Sequence, residues 1–201
     1  MSGNRWLQKI AERADHSRWY IERFRAMAAE GADLDGEARL VDAMAPRGAR
    51  ILDAGCGPGR TGGYLHRAGH LVVGVDLDPE LIAAAEEDHP GPTWLVGDLS
   101  ELDLPARGIA EPFDLIVSAG NVMAFLDPAT RCAVLTRLAR HLAEDGRVVV
   151  GFGADRDYPF DEFFDDCGAA GLEAQQCFST WDLRPFDGRS TFLVALLVRA
   201  D

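Results

Sequence analysis

The stretch Ile51-Leu52-Asp53-Ala54-Gly55-Cys56-Gly57-Pro58-Gly59, followed by Val72-Val73-Gly74-Val75-Asp76-Leu77-Asp78, decides how this chain is read. A short apolar run predicts a buried strand, the glycines a loop, the residues after them a helix, and the second apolar run a strand ending in a carboxylate. Gly55, Gly57 and Gly59 lack a Cβ, so the loop can take positive φ and let a ligand approach bare amide groups. Those amides open a helix whose dipole favours a negatively charged ligand group. Asp76 lies 21 residues beyond Gly55, where a carboxylate can accept hydrogen bonds from both hydroxyls of a ribose. The expected ligand contains a nucleoside.

A dinucleotide site would need glycine at position 60 so that the helix packs tightly on the strand, and that position is Arg60. The glycines run G-x-G-x-G, and the phrase beginning at Asp53 resembles the first motif, D-x-G-x-G-x-G, of class I S-adenosylmethionine-dependent methyltransferases. The resemblance implies that Gly55, Cys56, Gly57 and Gly59 wrap the methionine half of S-adenosylmethionine, that Asp76 binds the ribose, and that Leu77 packs on the adenine. Asp53 would brace the loop near the cofactor's amino group, unless it only ties down turn amides. Gly97-Asp98-Leu99 resembles the next motif, in which the aspartate and the following amide meet the adenine; a plain helix cap is the alternative for Asp98. Ala119, after the fourth strand, would hold the cofactor's ammonium through its carbonyl. The (D/N)-P-P-(Y/F) tetrad of DNA and protein amide-nitrogen methyltransferases is missing here, so that specificity is not carried over.

The rest of the chain repeats the strand-and-helix rhythm, with Asp53, Asp76 and Asp98 spaced 23 and 22 residues apart near successive strand ends. Asp78 as N-cap and Pro79 at the first helical position announce the second helix. Strands are expected at 93–96, 113–118 and 147–151, with a helix from Asp127 that Gly146 stops. A short helix over about 159–170 then leads to two strand-like runs, 173–183 and 190–199, joined by the turn residues Pro185 to Arg189. Strands joined so tightly form an antiparallel hairpin, because a parallel return needs a crossover of a dozen or more residues. The expected fold is α/β, a three-layer sandwich with a seven-stranded, mostly parallel sheet and an antiparallel last strand, as the resemblance also implies. Residues 1–45 read as a helical N-terminal cover and 46–201 as the S-adenosylmethionine-binding domain, one structural domain overall. In the cover, Leu7 and Ile10, then Tyr20, Phe24 and Met27 or Ala28, fall at helical spacing, and Asp35 caps a further helix. This stripe either folds over the cofactor side or covers one face of the sheet.

With 201 residues, 47% of them hydrophobic, the chain can bury one ordinary core. A formal charge of −13 opposes tight non-specific binding to a phosphate backbone, so a nucleic-acid partner is not expected. Cys56, Cys132, Cys167 and Cys177 show no C-x-x-C spacing and no signal peptide precedes them, which implies reduced thiols and a cytoplasmic location. The apolar runs are too short to span a bilayer.

Methyl transfer from a sulfonium is an in-line displacement in which alignment supplies much of the catalysis, so a general base is optional. Candidates on the acceptor side are His16, Tyr20, Asn121, Asp155 and Tyr158. His16 could be an exposed helix residue, Asn121 a turn former, and residues 155–158 an ordinary solvated loop. Asp161, Glu162, Asp165 and Asp166 read as the solvated face of a helix whose other side is Phe160, Phe163 and Phe164, and the histidines lack metal-ligand spacing; no metal is expected. The sequence therefore points to a methyltransferase using S-adenosylmethionine on an oxygen, nitrogen or carbon of a small molecule. A cofactor-binding regulatory module, or a dinucleotide-binding oxidoreductase, is the alternative.

Overall fold

The glycine-broken run folds as expected: Arg50–Ala54 is strand β1 and Arg60–Arg67 the helix α4 that leaves its loop. The computed structural model describes residues 3–154 and 157–200. Before β1 come three helices, α1 (Arg5–Glu12), α2 (His16–Ala29) and α3 (Gly36–Met44). After α4 follow β2 (Leu71–Asp76), α5 (Pro79–Asp88), β3 (Thr93–Val96), β4 (Phe113–Ser118), α6 (Val122–Phe125), α7 (Arg131–His141), β5 (Leu142–Gly153), α8 (Phe160–Ala169), β6 (Leu172–Phe178) and β7 (Phe192–Arg199).

The seven strands form one sheet in the order β3-β2-β1-β4-β5-β7-β6. The first five pair in parallel, and β7 runs antiparallel between β5 and β6. Successive strand residues feed opposite sides. Leu52, Ile116 and Val148 join Met123, Leu135, Leu138 and Phe163 from α6, α7 and α8. Ile51, Leu115 and Val149 join Ala38, Val41 and Leu65 from α3 and α4. Both faces of the central strands are therefore covered, and each such aliphatic or aromatic side chain contributes about 1.5–3 kcal/mol on burial. Between β1 and β4 the chain reverses its direction of growth along the sheet, and ligands of open α/β sheets bind in the crevice outside such a switch point.

Several element ends differ from the sequence reading for long-range reasons. Helix α7 ends at His141 rather than at Gly146, because Leu142 turns into the sheet opposite Phe113, and the Arg199 guanidinium donates to the carbonyls of Ala139 and Leu142 at the helix end. Gly146 lies instead within β5, where a Cβ would stand 2.8 Å from Leu142 and 3.0 Å from the Phe113 carbonyl. Strand β6 stops at Phe178, not Leu183: the Ser179 N–H donates to the Arg184 carbonyl (2.8 Å), and Leu183 takes a φ of 66°. That turn lays Trp181 against Gly151 of β5, where a Cβ would meet the indole at 2.2 Å. In α1 the buried anchor is Trp6, while Leu7 is exposed. Asp35 stands at the N-cap of α3, but its side chain makes no cap bond.

Candidate functional site

The three glycines of the loop adopt the predicted left-handed backbone, with φ of 81°, 54° and 83° at Gly55, Gly57 and Gly59. Their amides are not bare, contrary to expectation. Gly55 and Cys56 donate to the Val75 carbonyl (2.8 and 3.1 Å), Gly59 to the Cys56 carbonyl (3.0 Å), and Gly57 to Oδ2 of Asp76 (2.9 Å). Asp53, at the buried end of β1, accepts from the Gly62 N–H in the first turn of α4 (2.9 Å). The loop is thus held by carboxylates at the ends of two adjacent strands, and the glycines serve close approach. A Cβ on Gly55 would lie 2.4 Å from Val122, whereas one on Gly57 would meet nothing nearer than Tyr20 at 4.0 Å.

Trp94 of β3 accounts for three glycines. Its indole lies where a Cβ would project from Gly74 (2.2 Å), Gly62 (2.8 Å) and Gly59 (3.0 Å), and its Nε1–H donates to the His89 carbonyl (2.9 Å). Cys56 packs beside it with Ile82 and Ala85. The tight helix-to-strand packing served by a third glycine in a dinucleotide loop is here achieved around a tryptophan. Arg60 instead forms a two-bond ion pair with Glu37 of α3 (3.0 and 3.1 Å), its guanidinium over the Phe24 ring.

A cavity of about 610 Å³ opens at this end of the sheet. The structure brings Asp53, Gly55, Cys56, Gly57, Asp76, Leu77, Asp98, Leu99, Ala119 and Asn121 together on its wall, with His16 and Tyr20 of α2 opposite. Gly59 lies behind it, against Ala85 and Trp94. Asp98 caps a 3₁₀ turn through the Ser100 N–H (2.8 Å) and is on the wall as well. Asn121 is left-handed (φ 67°), and its Oδ1 accepts from the Gly153 N–H of β5 (2.9 Å).

Tyr158 does not belong to this group. It is fully buried in the core under the Arg131 guanidinium, and its hydroxyl donates to Asp166 (2.6 Å). Burial and this carboxylate hold its phenol well above the usual range, so it is no base for an acceptor. The Asp155 candidate lies outside the described residues. Among the described residues, no group of three or more histidine, cysteine or acidic side chains is gathered to hold a metal ion.

The sequence reading missed how the N-terminal helices are attached. Buried Asp78 does cap α5 through the Glu80 N–H (2.9 Å), and its Oδ2 also accepts from Trp6 Nε1 (2.8 Å) and Ser17 Oγ (2.5 Å). The Asp78 N–H in turn donates to Oδ1 of Asp76 (3.0 Å). Trp6 packs edge-on to Tyr20 and Phe125. The one signal in sequence was the Asn4 N-cap with a tryptophan two residues later, since Asn4 does cap α1 through Trp6 N (3.0 Å).

Burial raises both strand-end carboxyls, Asp53 to about 7 and Asp76 to about 6. For Asp53 the folded value exceeds the unfolded one, so the folded state binds the proton more tightly. Its stabilising contribution is complete below about pH 4 and is lost as pH rises through about 7. Asp53→Asn keeps an acceptor for Gly62 but cannot titrate. Thermal melts between pH 4.5 and 7.5 should show a smaller decline with rising pH in the variant than in the parent chain; equal declines would remove the assignment.

The geometry agrees with known proteins. A methyltransferase domain model matches residues 51–146. The solved structure of a TehB-like SAM-dependent methyltransferase from Corynebacterium glutamicum ATCC 13032 is 52% identical with a TM-score of 0.87, over 92% of this chain and 99% of that one. The chain belongs to the SAM-dependent methyltransferase family. This methyltransferase-family chain is also 36% identical over 97 residues to malonyl-[acyl-carrier protein] O-methyltransferase of Pectobacterium atrosepticum, and 30% identical over 134 residues to ubiquinone biosynthesis O-methyltransferase of Methylococcus capsulatus. The matches take in 48% and 60% of this chain, but only 37% and 56% of those relatives.

Proposed function

We propose that this chain transfers a methyl group from S-adenosylmethionine to an oxygen, nitrogen or carbon nucleophile of a small molecule. One arrangement carries the reading: Asp53, Asp76 and Asp98 stand at or just past the ends of three neighbouring strands and line a single cavity with the glycine loop. The cofactor fits this wall. The cavity lies within the roughly 300–1,000 Å³ typical of ligand pockets, and the missing side chains of Gly57 and Gly120 leave part of that space.

In this reading Asp76 accepts from the ribose hydroxyls while it fixes Gly57. Leu77 and Leu99 sandwich the adenine, Asp98 meets its amino group, and Ala119 with Gly55 borders the methionine end. Bound S-adenosylmethionine supplies a methyl group on a sulfonium, open to in-line displacement. The chain's part is to orient the partners and to exclude water, with Asn121 at the end of β4 positioning the acceptor. Helices α1 and α2, within residues 1–45, form the cover on the acceptor side, and His16 and Tyr20 face the cavity from it. The free thiols of all four cysteines support a cytoplasmic location, and the charge of −13 supports a small acceptor over nucleic acid. Among the described residues, no helix is long and apolar enough to cross a membrane.

Titration calorimetry with S-adenosylmethionine, S-adenosylhomocysteine, NAD and NADP tests the reading, followed by transfer from labelled methyl donor. Binding of the sulfur nucleosides alone is expected; binding of NAD or NADP alone would overturn it. The raised Asp76 carboxyl adds a sharper expectation. Ribose binding needs the carboxylate, so affinity for S-adenosylhomocysteine should fall about tenfold per pH unit below the carboxyl's value near 6 and level out above pH 7. Affinity that stays flat from pH 8 to 5 would count against Asp76 as the ribose ligand.

A further inference from the structure

Beside the main cavity lies a second one of about 470 Å³, lined by Arg5, Lys9, Asn121, Ala124, Phe125, Gly153, Thr191 and Phe192. Three residues, Lys9, Asn121 and Phe125, line both cavities and mark where they meet. The meeting point stands just past the end of β4, with the ends of β5 and β7 forming the far wall. Asn121 is held there with a fixed orientation, because its Oδ1 is bonded to the Gly153 N–H. With the oxygen so engaged, the amino group is the part of this side chain left to donate to a molecule at the junction.

The charge of this second cavity runs against that of the chain. The whole sequence carries −13, yet the described residues that line the cavity include two cations and no carboxylate. Arg5 and Lys9 are four residues apart on α1 and so share one face of the helix. Arg5 is ion-paired to Asp157 in the segment after β5, whereas Lys9 pairs with no carboxylate among the described residues. With Arg5 engaged by Asp157, the Lys9 ammonium is the charge offered to an acid group in the cavity. Phe125, Ala124 and Phe192 give the remaining wall an apolar character suited to a ring or short chain.

We propose that this second cavity receives the methyl acceptor, and that the acceptor carries a carboxylate held at Lys9 with its apolar body between Phe125 and Phe192. The proposal rests on the methyl-transfer reading above and adds the chemical class of the acceptor. The carboxylate is a recognition handle, and the atom to be methylated lies toward Asn121. Lys9 and Arg5 are positioned by the docking of α1, so selection of the acceptor belongs to the N-terminal helices rather than to the sheet.

The test uses the full chain loaded with S-adenosylhomocysteine and matched pairs of probes: benzoate and benzamide, cinnamate and cinnamamide, indole-3-carboxylate and its amide, hexanoate and hexanamide. Binding is followed by ligand-observed saturation-transfer NMR, and S-adenosylhomocysteine affinity is measured on the same samples by calorimetry. At least one acid should bind about tenfold or more tighter than its amide, as a charge-assisted contact requires. That binding should weaken at least about tenfold in Lys9→Glu, and also in Thr191→Trp, which fills the cavity without changing its charge. Acids that bind no better than amides, no acid binding at all, or acid binding indifferent to both variants would overturn the proposal while the cofactor reading stands. Failure of S-adenosylhomocysteine itself to bind would overturn the methyl-transfer reading, and this proposal with it.

Discussion

Asp76→Ala is expected to weaken S-adenosylhomocysteine binding by roughly 10- to 150-fold, equivalent to the ~1.5–3 kcal/mol carried by hydrogen bonds to a charged group. The carboxylate has two tasks at once. It would accept from the ribose, and it already accepts from the Gly57 and Asp78 amides (2.9 and 3.0 Å). Removing it loses the ligand contact and frees Gly57 to leave its left-handed conformation, so the loop no longer presents the methionine side in one shape. Asp76→Asn separates the two effects, since its single carbonyl oxygen can hold one of the amides but cannot serve both amides and hydroxyls. Calorimetry on folded samples should rank affinity as parent, then Asn, then Ala. Unchanged affinity in the alanine variant would remove the ribose assignment.

Asp78→Ala is expected to release the first two helices from the body of the protein at a cost of about 3 kcal/mol. The buried indole N–H of Trp6 and hydroxyl of Ser17 would each lose their acceptor, at about 1–3 kcal/mol for a buried donor left unmet. The cap on the Glu80 N–H would go as well, worth about 1 kcal/mol. Ser17 can turn its hydroxyl to another acceptor, which keeps the total near the lower bound of the sum. Hydrogen exchange should show faster exchange across Arg5–Ala29 with the central strands still protected. Uniform loss of protection would instead mean that Asp78 supports the whole fold, and no change would mean that the helices are held by their apolar contacts alone.

The two aspartates also mark how far the sequence could be read. Asp76 was legible because its surroundings are local: an apolar run, a strand end and a glycine loop in the preceding unit. Asp78 was legible only as a helix cap, since its other partners stand 72 and 61 residues away and nothing in the sequence couples them. The notch of Gly59, Gly62 and Gly74 around Trp94 was hidden for the same reason, and it changes the meaning of Gly59, which the sequence alone reads as making room for a ligand. The terminal hairpin was legible from turn chemistry, but its strand ends were not, because Trp181 folds back onto Gly151. Tyr158 is an acceptor-side candidate in sequence because it follows the fifth strand, on the face where ligands of such sheets bind. Its true neighbours, Phe152, Phe163 and Arg131, are contributed by a strand and two helices that the local pattern does not connect.

Helix α1 is eight residues long and touches both ligand regions, through Trp6 on Asp78 and through Arg5 and Lys9 on the second cavity. Trp6 ties the helix to the strand-end carboxylates, and Lys9 stands where the two cavities meet. Under the proposed acceptor site, the helix acts as an exchangeable cassette: with Trp6 retained as its buried plug, the exposed positions are free to vary. A new set of side chains there would re-address the same methyl donor to a different class of molecule without altering a single residue of the glycine loop.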